Sequence, residues 1–360
     1  MTIQAKITKW IRPRIRAKSA YHVPDPGKCV KLDAMENPYT WPESLVQDWL
    51  DMLRGASLNR YPDPDAKALK RRLRIAAKVP DGLDILLGNG SDELIQMIAL
   101  SVAEKGRTVL APEPTFVMYQ LIAELVNMDY VGIPLRTDGF GLDLPAMLEA
   151  IKTHCPAVVF LAYPNNPTGN LFSENDVRKV IEAADGLVVV DEAYAAFTDK
   201  TFLDEPGKYD NLLILRTVSK AGLAGLRLGY LVGLPDWLEE INKTRLPYNI
   251  NVLTQVSVDF AMDHRQLMDE QARWIRRDRA TLFGELAKLS GIHPYASEAN
   301  FILFRVPAGR AQGLFEELRK RGVLVKNMDS AGGLLQDCLR VTVGTTEENS
   351  VFLSALQASL

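Results

Sequence analysis

Cysteine is scarce in this chain of 360 residues, and its three cysteines are not spaced as a metal site or a redox pair. Their odd number and wide separation favour a reducing compartment, and we expect the cytoplasm. No apolar run approaches the roughly 18 residues needed to cross a membrane. A net charge of -3 and the lack of an arginine-aromatic stripe argue against nucleic acid as a partner. We therefore expect a soluble protein.

Acidic residues are absent from the chain before Asp25, where six basic residues occur. A secretory signal is excluded because no apolar core follows the basic residues, and Pro13 interrupts what would otherwise resemble a transit peptide. We expect residues 1–29 to form an arm that packs on a partner subunit.

Short apolar runs alternate with helix-like stretches between residues 83 and 216, which is typical of an α/β domain with a mostly parallel sheet. The runs are apolar throughout, so helices should cover both faces of the sheet. Ligands of such sheets bind beyond the carboxyl ends of the strands. The predicted strands are residues 85–87, 108–111, 158–162, 187–190 and 212–216.

The sequence changes character after Pro247, where long amphipathic helices are predicted at residues 252–262 and 270–289. Further strands are predicted at residues 300–306, 323–325 and 339–343. We therefore expect a large domain over residues 56–246 and a smaller C-terminal domain over residues 247–360. Residues 30–55 should join the smaller domain.

The first chemical motif is the sequence GNGSDE at residues 88–93, where a strand ends and an apolar helix begins. The free N–H groups and the dipole of a helix N-terminus attract phosphate. The alternative is an ordinary glycine turn in which Ser91 or Asp92 caps the helix.

The second motif is YPNNPTG at residues 163–169, directly after a predicted buried strand. Its prolines and glycine fix a rigid turn that could present the Asn166 amide at one place. A purely structural turn would explain the same residues.

The third motif places Asp191 at the carboxyl end of the strand at residues 187–190. A carboxylate there could pair with a protonated pyridine nitrogen and keep the ring able to accept electrons. The alternatives are a magnesium ligand or a helix cap. The magnesium interpretation is weakened because no phosphate-binding loop with its Gly-Lys-Ser/Thr ending precedes Asp191.

The fourth motif is RTVSK at residues 216–220, followed closely by Arg227. Lysine is the side chain that forms a reversible imine, and Ser219 and Arg227 could bind phosphate beside it. Most lysines are solvated surface groups, so the interpretation of Lys220 as an imine-forming lysine depends on Ser219 and Arg227.

Taken in this order, the four motifs resemble the fold-type-I pyridoxal-phosphate aminotransferases, most closely those that act on histidinol phosphate. Residues 59–64, 114–116 and 338–344 extend the likeness over nearly the whole chain. The resemblance implies a mostly parallel sheet flanked by helices, a smaller α/β C-terminal domain and pyridoxal 5'-phosphate as cofactor. It also implies amino transfer between histidinol phosphate and 2-oxoglutarate, with glutamate as the other amino compound.

The resemblance also implies a role for each site residue. Lys220 would form the Schiff base and act as the base, with Asp191 on the ring nitrogen, Phe116 stacked near the ring, and Asn166 and Tyr194 on the ring oxygen. The cofactor phosphate would be bound by Gly90, Ser91, Asp92, Ser219, Arg227 and, from the neighbouring subunit of a homodimer, Tyr61. The substrate would be bound by Arg340, Tyr21 and Lys326.

Three positions depart from the family pattern. Phe116 stands where many relatives carry tyrosine, which keeps a stacking surface and removes a hydroxyl. Lys220 and Arg227 are one residue closer than in relatives, so the connecting turn should differ. Lys326 stands where arginine is common, and a point charge cannot repeat the bidentate grip of a guanidinium.

Three alternative functions stay open. An aromatic aminotransferase would use Arg340 for the α-carboxylate of its substrate. A decarboxylase of a phosphorylated amino acid would share the scaffold and need no keto acid. A regulator without catalytic activity is disfavoured by the intact Lys220 and by the lack of an appended DNA-binding segment.

Overall fold

The computed structural model describes residues 1–20 and 24–360 of the chain. The strands are β1 (Val30–Lys31), β2 (Asp84–Gly88), β3 (Thr108–Glu113), β4 (Asp129–Pro134), β5 (Val158–Ala162), β6 (Leu187–Asp191), β7 (Leu212–Thr217), β8 (Gly229–Gly233), β9 (His293–Pro294), β10 (Phe301–Arg305), β11 (Val323–Leu324), β12 (Lys326–Asn327) and β13 (Cys338–Thr342). The helices are α1 (Ile3–Trp10), α2 (Pro13–Arg16), α3 (Glu43–Leu53), α4 (Lys67–Ala77), α5 (Ser91–Val102), α6 (Met118–Leu125), α7 (Leu144–His154), α8 (Glu174–Ala183), α9 (Pro235–Asn242), α10 (Val252–Asp263), α11 (Arg265–Ala287), α12 (Ala311–Lys320) and α13 (Thr346–Gln357). In the described part of the chain, no helix is both long and apolar enough to span a bilayer.

The main sheet has seven strands in the order β2-β8-β7-β6-β5-β3-β4. Neighbours from β7 to β4 run parallel, and β8 runs antiparallel to both β2 and β7. Every residue of β5 and β6 is buried because apolar layers cover both faces. Val159 and Leu161 belong to one layer, and Phe160 to the other. The prediction of a mostly parallel sheet covered on both sides is confirmed.

A second, four-stranded sheet has the order β12-β13-β10-β9 and is antiparallel. Its apolar core includes Phe301, Phe304 and Phe352, the last from α13. Beside it, β1 pairs in parallel with β11, so residues 30–31 join this part of the molecule. Thr345 and Glu348 form a capping box that begins α13.

The helices after Pro247 contact both parts of the molecule. Val258 and Ala261 of α10 and Met268 of α11 pack in the core of the main sheet. Ile275 and Leu282, farther along α11, pack in the core of the smaller sheet. The predicted boundary at residue 247 therefore stays a prediction.

The N-terminal arm rests on helix α6 of its own chain. The Arg12 guanidinium donates to the Leu125 carbonyl at 2.6 Å, and Arg14 donates to the Met128 carbonyl at 3.1 Å. Lys18 pairs with Glu124. Cations are favourable at the C-terminal end of a helix because its carbonyls carry partial negative charge. Contact of this arm with a partner subunit stays a prediction.

Candidate active site

A cavity opens where strands β5, β6 and β7 reach their carboxyl ends. This is the edge of the sheet at which the sequence predicts ligand binding. The predicted site residues that line it are Ser91, Asp92, Phe116, Asn166, Asp191, Tyr194, Ser219, Lys220 and Arg227. Residues from six separate segments of the chain therefore meet in one place.

Lys220 lies on the short π turn Ser219–Leu223 that follows β7. Its Nζ donates to the Ala34 carbonyl at 3.3 Å and lies 6.0 Å from the centre of the Tyr194 ring. Burial, reinforced by the positive charge of Arg340, lowers the pKa of Lys220 to about 8. The surface-lysine alternative is wrong, and this amine is neutral more often than an exposed one.

The connection from Lys220 to Arg227 is compact. After the π turn, in which Gly222 has a φ of 113°, the helical turn Ala224–Leu226 leads directly to Arg227. Arg227 itself has a left-handed backbone with a φ of 49°. Its side chain thereby turns back towards the start of α5.

The start of α5 is open to an anion. Its N-cap is Gly90, with a φ of 84° and no side-chain cap, so the alternative of Ser91 or Asp92 as the cap is wrong. The first N–H groups of the helix are left without an intrahelical acceptor. A Cβ on Gly90 would lie 2.6 Å from Nη2 of Arg227, so only glycine lets this guanidinium approach. Arg227 also contacts Asp92 at 3.3 Å.

Ser219 lines the same cavity and is 5% exposed. Its hydroxyl accepts a hydrogen bond from Thr217, the last residue of β7, at 3.0 Å. Thr217 also lines the cavity and was missed in the sequence. Its position directly after the predicted strand at residues 212–216 was the signal available.

Asp191, the last residue of β6, is 4% exposed. Its Oδ2 accepts from the Tyr119 hydroxyl at 2.7 Å and its Oδ1 from the Ala193 N–H at 3.1 Å. Burial raises the pKa of Asp191 to about 6, although both hydrogen bonds oppose the rise. Tyr119 was missed in the sequence. It lies in the first turn of α6, just after Phe116, and its ring contacts that of Phe116.

Arg340 reaches the cavity wall from β13 of the smaller sheet and is 6% exposed. Its Nη1 donates to Oδ1 of Asn166 at 2.5 Å, and Nδ2 of Asn166 donates to the Tyr194 hydroxyl at 3.1 Å. A second donor, Nη2, binds the Asp33 carbonyl at 3.0 Å. Arg340 thus links the two sheets beside Lys220.

The turn at residues 163–169 serves both of the purposes considered for it. Asn165 is fully buried, accepts from the Thr115 hydroxyl and donates to the Pro114 carbonyl and to Thr168. Its network holds the turn together. Asn166, the next residue, faces the cavity.

The segment from Asp33 to Met35 closes the cavity and was also missed. The carbonyls of Asp33 and Ala34 accept from Arg340 and Lys220, and Met35 Sδ accepts from the Tyr194 hydroxyl at 3.3 Å. Any residue type can supply a backbone carbonyl, so no sequence motif indicates the contacts of the Asp33 and Ala34 carbonyls.

Tyr61 and Lys326 are predicted site residues that are not among those lining the cavity. Tyr61 is 80% exposed and stacks on Tyr248 with ring centres 4.3 Å apart. Lys326 pairs in register with Arg340, which puts both side chains on the same face of the smaller sheet. Tyr21 lies outside the described residues.

This geometry suits one ligand with a phosphate and an aromatic nitrogen base, together with a second anion. The α5 N-terminus and Arg227 form a positive site at one end, and Asp191 offers an acceptor at the cavity floor. Arg340 supplies a cation next to Asn166. Between them, Lys220 is an amine that can act as nucleophile or base.

Comparison with known proteins agrees with this picture. The chain is 57% identical over 353 residues to a histidinol-phosphate aminotransferase of Nitrosococcus oceani, covering 98% of each chain. It is 51% identical to one of Ralstonia nicotianae, covering 97% of this chain and 94% of the other. The solved histidinol-phosphate aminotransferase of Sinorhizobium meliloti, in complex with pyridoxal 5'-phosphate, has a TM-score of 0.86 at 22% identity and 97% coverage of both chains.

This chain shares its fold with that solved structure, so the predicted fold-type-I architecture, with a mostly parallel sheet flanked by helices, is confirmed. The model of the family described as aminotransferase class I and II matches residues 27–356. The match spans far more than half of the sequence and agrees with the relatives above, so this chain belongs to the aminotransferase class I and II family.

Proposed function

We propose that this chain is a pyridoxal-phosphate-dependent aminotransferase that moves an amino group between L-histidinol phosphate and 2-oxoglutarate, a step of histidine biosynthesis. The observation that carries the proposal is Lys220, an enclosed amine with a lowered pKa that shares one cavity with the buried Asp191. The substrate follows from relatives at 44–57% identity that are named for it.

The residues of the cavity fit pyridoxal 5'-phosphate. The uncapped start of α5, Ser219 and Arg227 would hold the phosphate, and Gly90 leaves the room that this needs. Phe116 would stack near the ring. Asn166 and Tyr194 would bind the ring oxygen, because the Tyr194 hydroxyl and the Asn166 amide already lie side by side.

When bound, the cofactor withdraws electrons from the substrate's α-carbon, which makes its proton acidic. Asp191 would keep the ring nitrogen protonated, since a carboxylate enclosed by protein pairs strongly with a positive N–H. Lys220 would hold the cofactor covalently through Nζ. As a free amine, Nζ of Lys220 would take the proton from the substrate's α-carbon and serve as the group that carries it during the transfer.

Arg340 would bind the anionic group of the substrate. The reaction must accept two amino compounds in turn, glutamate with carboxylates and histidinol phosphate with a phosphate. A guanidinium fork binds either anion through two parallel hydrogen bonds. Lys326, the cross-strand neighbour of Arg340, would add a second positive charge. Tyr21 is proposed to help close this site.

The enzyme is proposed to work in the cytoplasm as a homodimer in which Tyr61 crosses to the phosphate site of the neighbouring subunit. Two features support the crossing. Tyr61 is largely exposed in its own chain, and its stack on Tyr248 holds the ring at the surface rather than against its own cavity.

A spectroscopic assay tests the function. Glutamate should abolish the visible absorption of the cofactor-loaded enzyme, and imidazole-acetol phosphate should then restore it. Retention of the visible band with glutamate would argue against amino transfer and leave the decarboxylase as the alternative. Faster restoration by an aromatic keto acid would make the protein an aromatic aminotransferase, with Arg340 on the α-carboxylate.

The capture of pyridoxal 5'-phosphate by the cofactor-free protein should depend on pH through Lys220. The neutral amine attacks, and its pKa is lowered to about 8, chiefly by burial. The capture rate should rise with pH up to about 8 and level off above it. Stopped-flow absorbance over this range gives the profile. A rate that keeps rising to the ordinary lysine pKa near 10.5 would contradict an enclosed amine.

A further inference from the structure

We propose that Tyr119 is a positioning residue for the reaction, because its hydroxyl orients the Asp191 carboxylate while its ring holds Phe116 in place. This inference rests on the proposed function. It assigns to one buried side chain the placement of two groups, one that would bind the cofactor's ring nitrogen and one that would stack on the ring.

The hydroxyl of Tyr119 lies 2.7 Å from Oδ2 of Asp191, although the two residues are 72 positions apart in sequence. Tyr119 is 1% exposed, so this hydroxyl has no access to bulk water. The N–H of Ala193 binds the other oxygen, Oδ1. Two donors on different oxygens fix the plane of the carboxylate. An ionised carboxylate offers about four acceptor positions, so acceptor capacity remains for a ring N–H.

The ring of Tyr119 is held as firmly as its hydroxyl. It lies parallel to Phe160 of β5, with ring centres 4.6 Å apart and planes 6° apart. It also meets Phe116 edge to face, at 5.6 Å and 86°. Such aromatic pairs have defined geometries that contribute beyond the area they bury. Tyr119 therefore joins the floor of the cavity to the ring that would cover the cofactor.

The two hydrogen bonds also favour the charged form of Asp191. Burial alone drives this carboxyl towards its neutral form and raises its pKa, and the Tyr119 hydroxyl is the stronger of the two donors that oppose this. A neutral carboxyl would attract a ring N–H less strongly. Tyr119 thus fixes the orientation of the Asp191 carboxylate and favours its charged form.

The Tyr119→Phe variant isolates the hydroxyl, because it keeps the ring and its stacking. We expect the dissociation constant for pyridoxal 5'-phosphate, measured by absorbance titration of the cofactor-free protein, to rise about 10-fold, as for loss of a hydrogen bond to a charged group. The acid limb of the kcat/KM pH profile should move to higher pH, because the Asp191 carboxylate loses a hydrogen bond that favours its charged form. The control is Tyr209→Phe, which removes a tyrosine hydroxyl bound to Glu182 at 3.2 Å far from the cavity. It should change neither quantity.

A double-mutant cycle shows whether the hydroxyl acts through Asp191. In an Asp191→Asn background, adding Tyr119→Phe should change the dissociation constant by no more than about twofold, because the charge that the hydroxyl supports is gone. An equal loss in both backgrounds would overturn the proposal. So would a Tyr119→Phe variant that matches the wild type in cofactor affinity.

Tyr119→Leu tests the second half of the proposal, since it also removes the edge contact with Phe116. It should weaken cofactor binding beyond the loss in Tyr119→Phe, with circular dichroism as the check on folding. Equal losses in the two variants would overturn the role of the ring. Failure of the wild type to bind pyridoxal 5'-phosphate at all would overturn the proposed function and this inference together. Normal wild-type binding with unaffected Tyr119 variants would overturn this inference alone.

Discussion

Lys220→Ala should reduce the rate of amino transfer by at least about 10³-fold, because the variant loses the proposed covalent anchor of the cofactor and the proposed proton-transfer group. Among the residues that the structure describes, no other lysine lines the cavity. Lys220 is the lysine that lines the described cavity, and its Nζ is held by the Ala34 carbonyl between Tyr194 and Arg340. Steady-state turnover with glutamate and imidazole-acetol phosphate gives the measurement.

The control for this prediction is Lys208→Ala, which removes an exposed lysine that pairs with Glu205. It should leave turnover unchanged. Borohydride treatment of the cofactor-loaded wild type should attach the cofactor to the peptide that contains Lys220. Attachment to another residue, or Lys220→Ala activity within about tenfold of the wild type, would contradict the assignment.

The parts of the fold that the sequence predicts well are those whose apolar pattern has one interpretation. β5 is found at its predicted bounds, and β6 differs by one residue, because unbroken apolar runs next to turn residues read as buried strands. β4 and β8 were missed. β4 lies at the edge of the sheet, is half-buried and carries Asp129, Gly132 and Pro134, all of which are uncommon in strands. β8 begins and ends with glycine, which is also uncommon in strands.

The site residues also fall into those that the local sequence pattern predicts and those that it does not. Asp191 was predicted because it stands at the carboxyl end of a buried strand, and Lys220 because Ser219 and Arg227 lie near it in the sequence. Tyr119 and the carbonyls of Asp33 and Ala34 were missed because their roles depend on contacts between distant segments. Residue type does not mark a carbonyl, and a tyrosine on an amphipathic helix is most simply read as core. Local pattern therefore predicted the groups that the proposed reaction would use, and tertiary structure was needed to identify the groups that contact them.

The framework behind the site depends on one buried ion pair, between Glu192 of the β6 end and Arg216 of β7. Nε and Nη2 of Arg216 donate to Oε2 of Glu192 at 2.9 and 2.7 Å. The other oxygen, Oε1, accepts from the Phe202 N–H at 2.5 Å and from Thr201 at 2.9 Å. Glu192 is 1% exposed. Glu192 directly follows Asp191, and Arg216 lies four residues before Lys220. The ion pair therefore joins the ends of β6 and β7, the strands that lead to these two residues.

Arg216→Met should lower the free energy of unfolding by about 3–5 kcal/mol, because it leaves the Glu192 carboxylate buried without a counter-charge. Urea denaturation of the cofactor-free protein gives the measurement. The matched control is Arg276→Met, which breaks a bidentate pair with Asp199 whose side chain is 84% exposed. Exposed pairs contribute little, so the control should lose no more than about 1 kcal/mol.

The double variant Arg216→Met, Glu192→Met distinguishes the cost of leaving the Glu192 carboxylate unpaired from the cost of losing the whole ion pair. Buried ion pairs can often be replaced by apolar residues of similar volume at little cost in stability, whereas removal of one partner is expensive. The double variant should therefore be more stable than Arg216→Met alone, although Phe202 N–H loses its acceptor and keeps recovery incomplete. A double variant less stable than Arg216→Met would mean that the hydrogen bonds of Glu192 to Phe202 and Thr201, rather than its charge, dominate at this position.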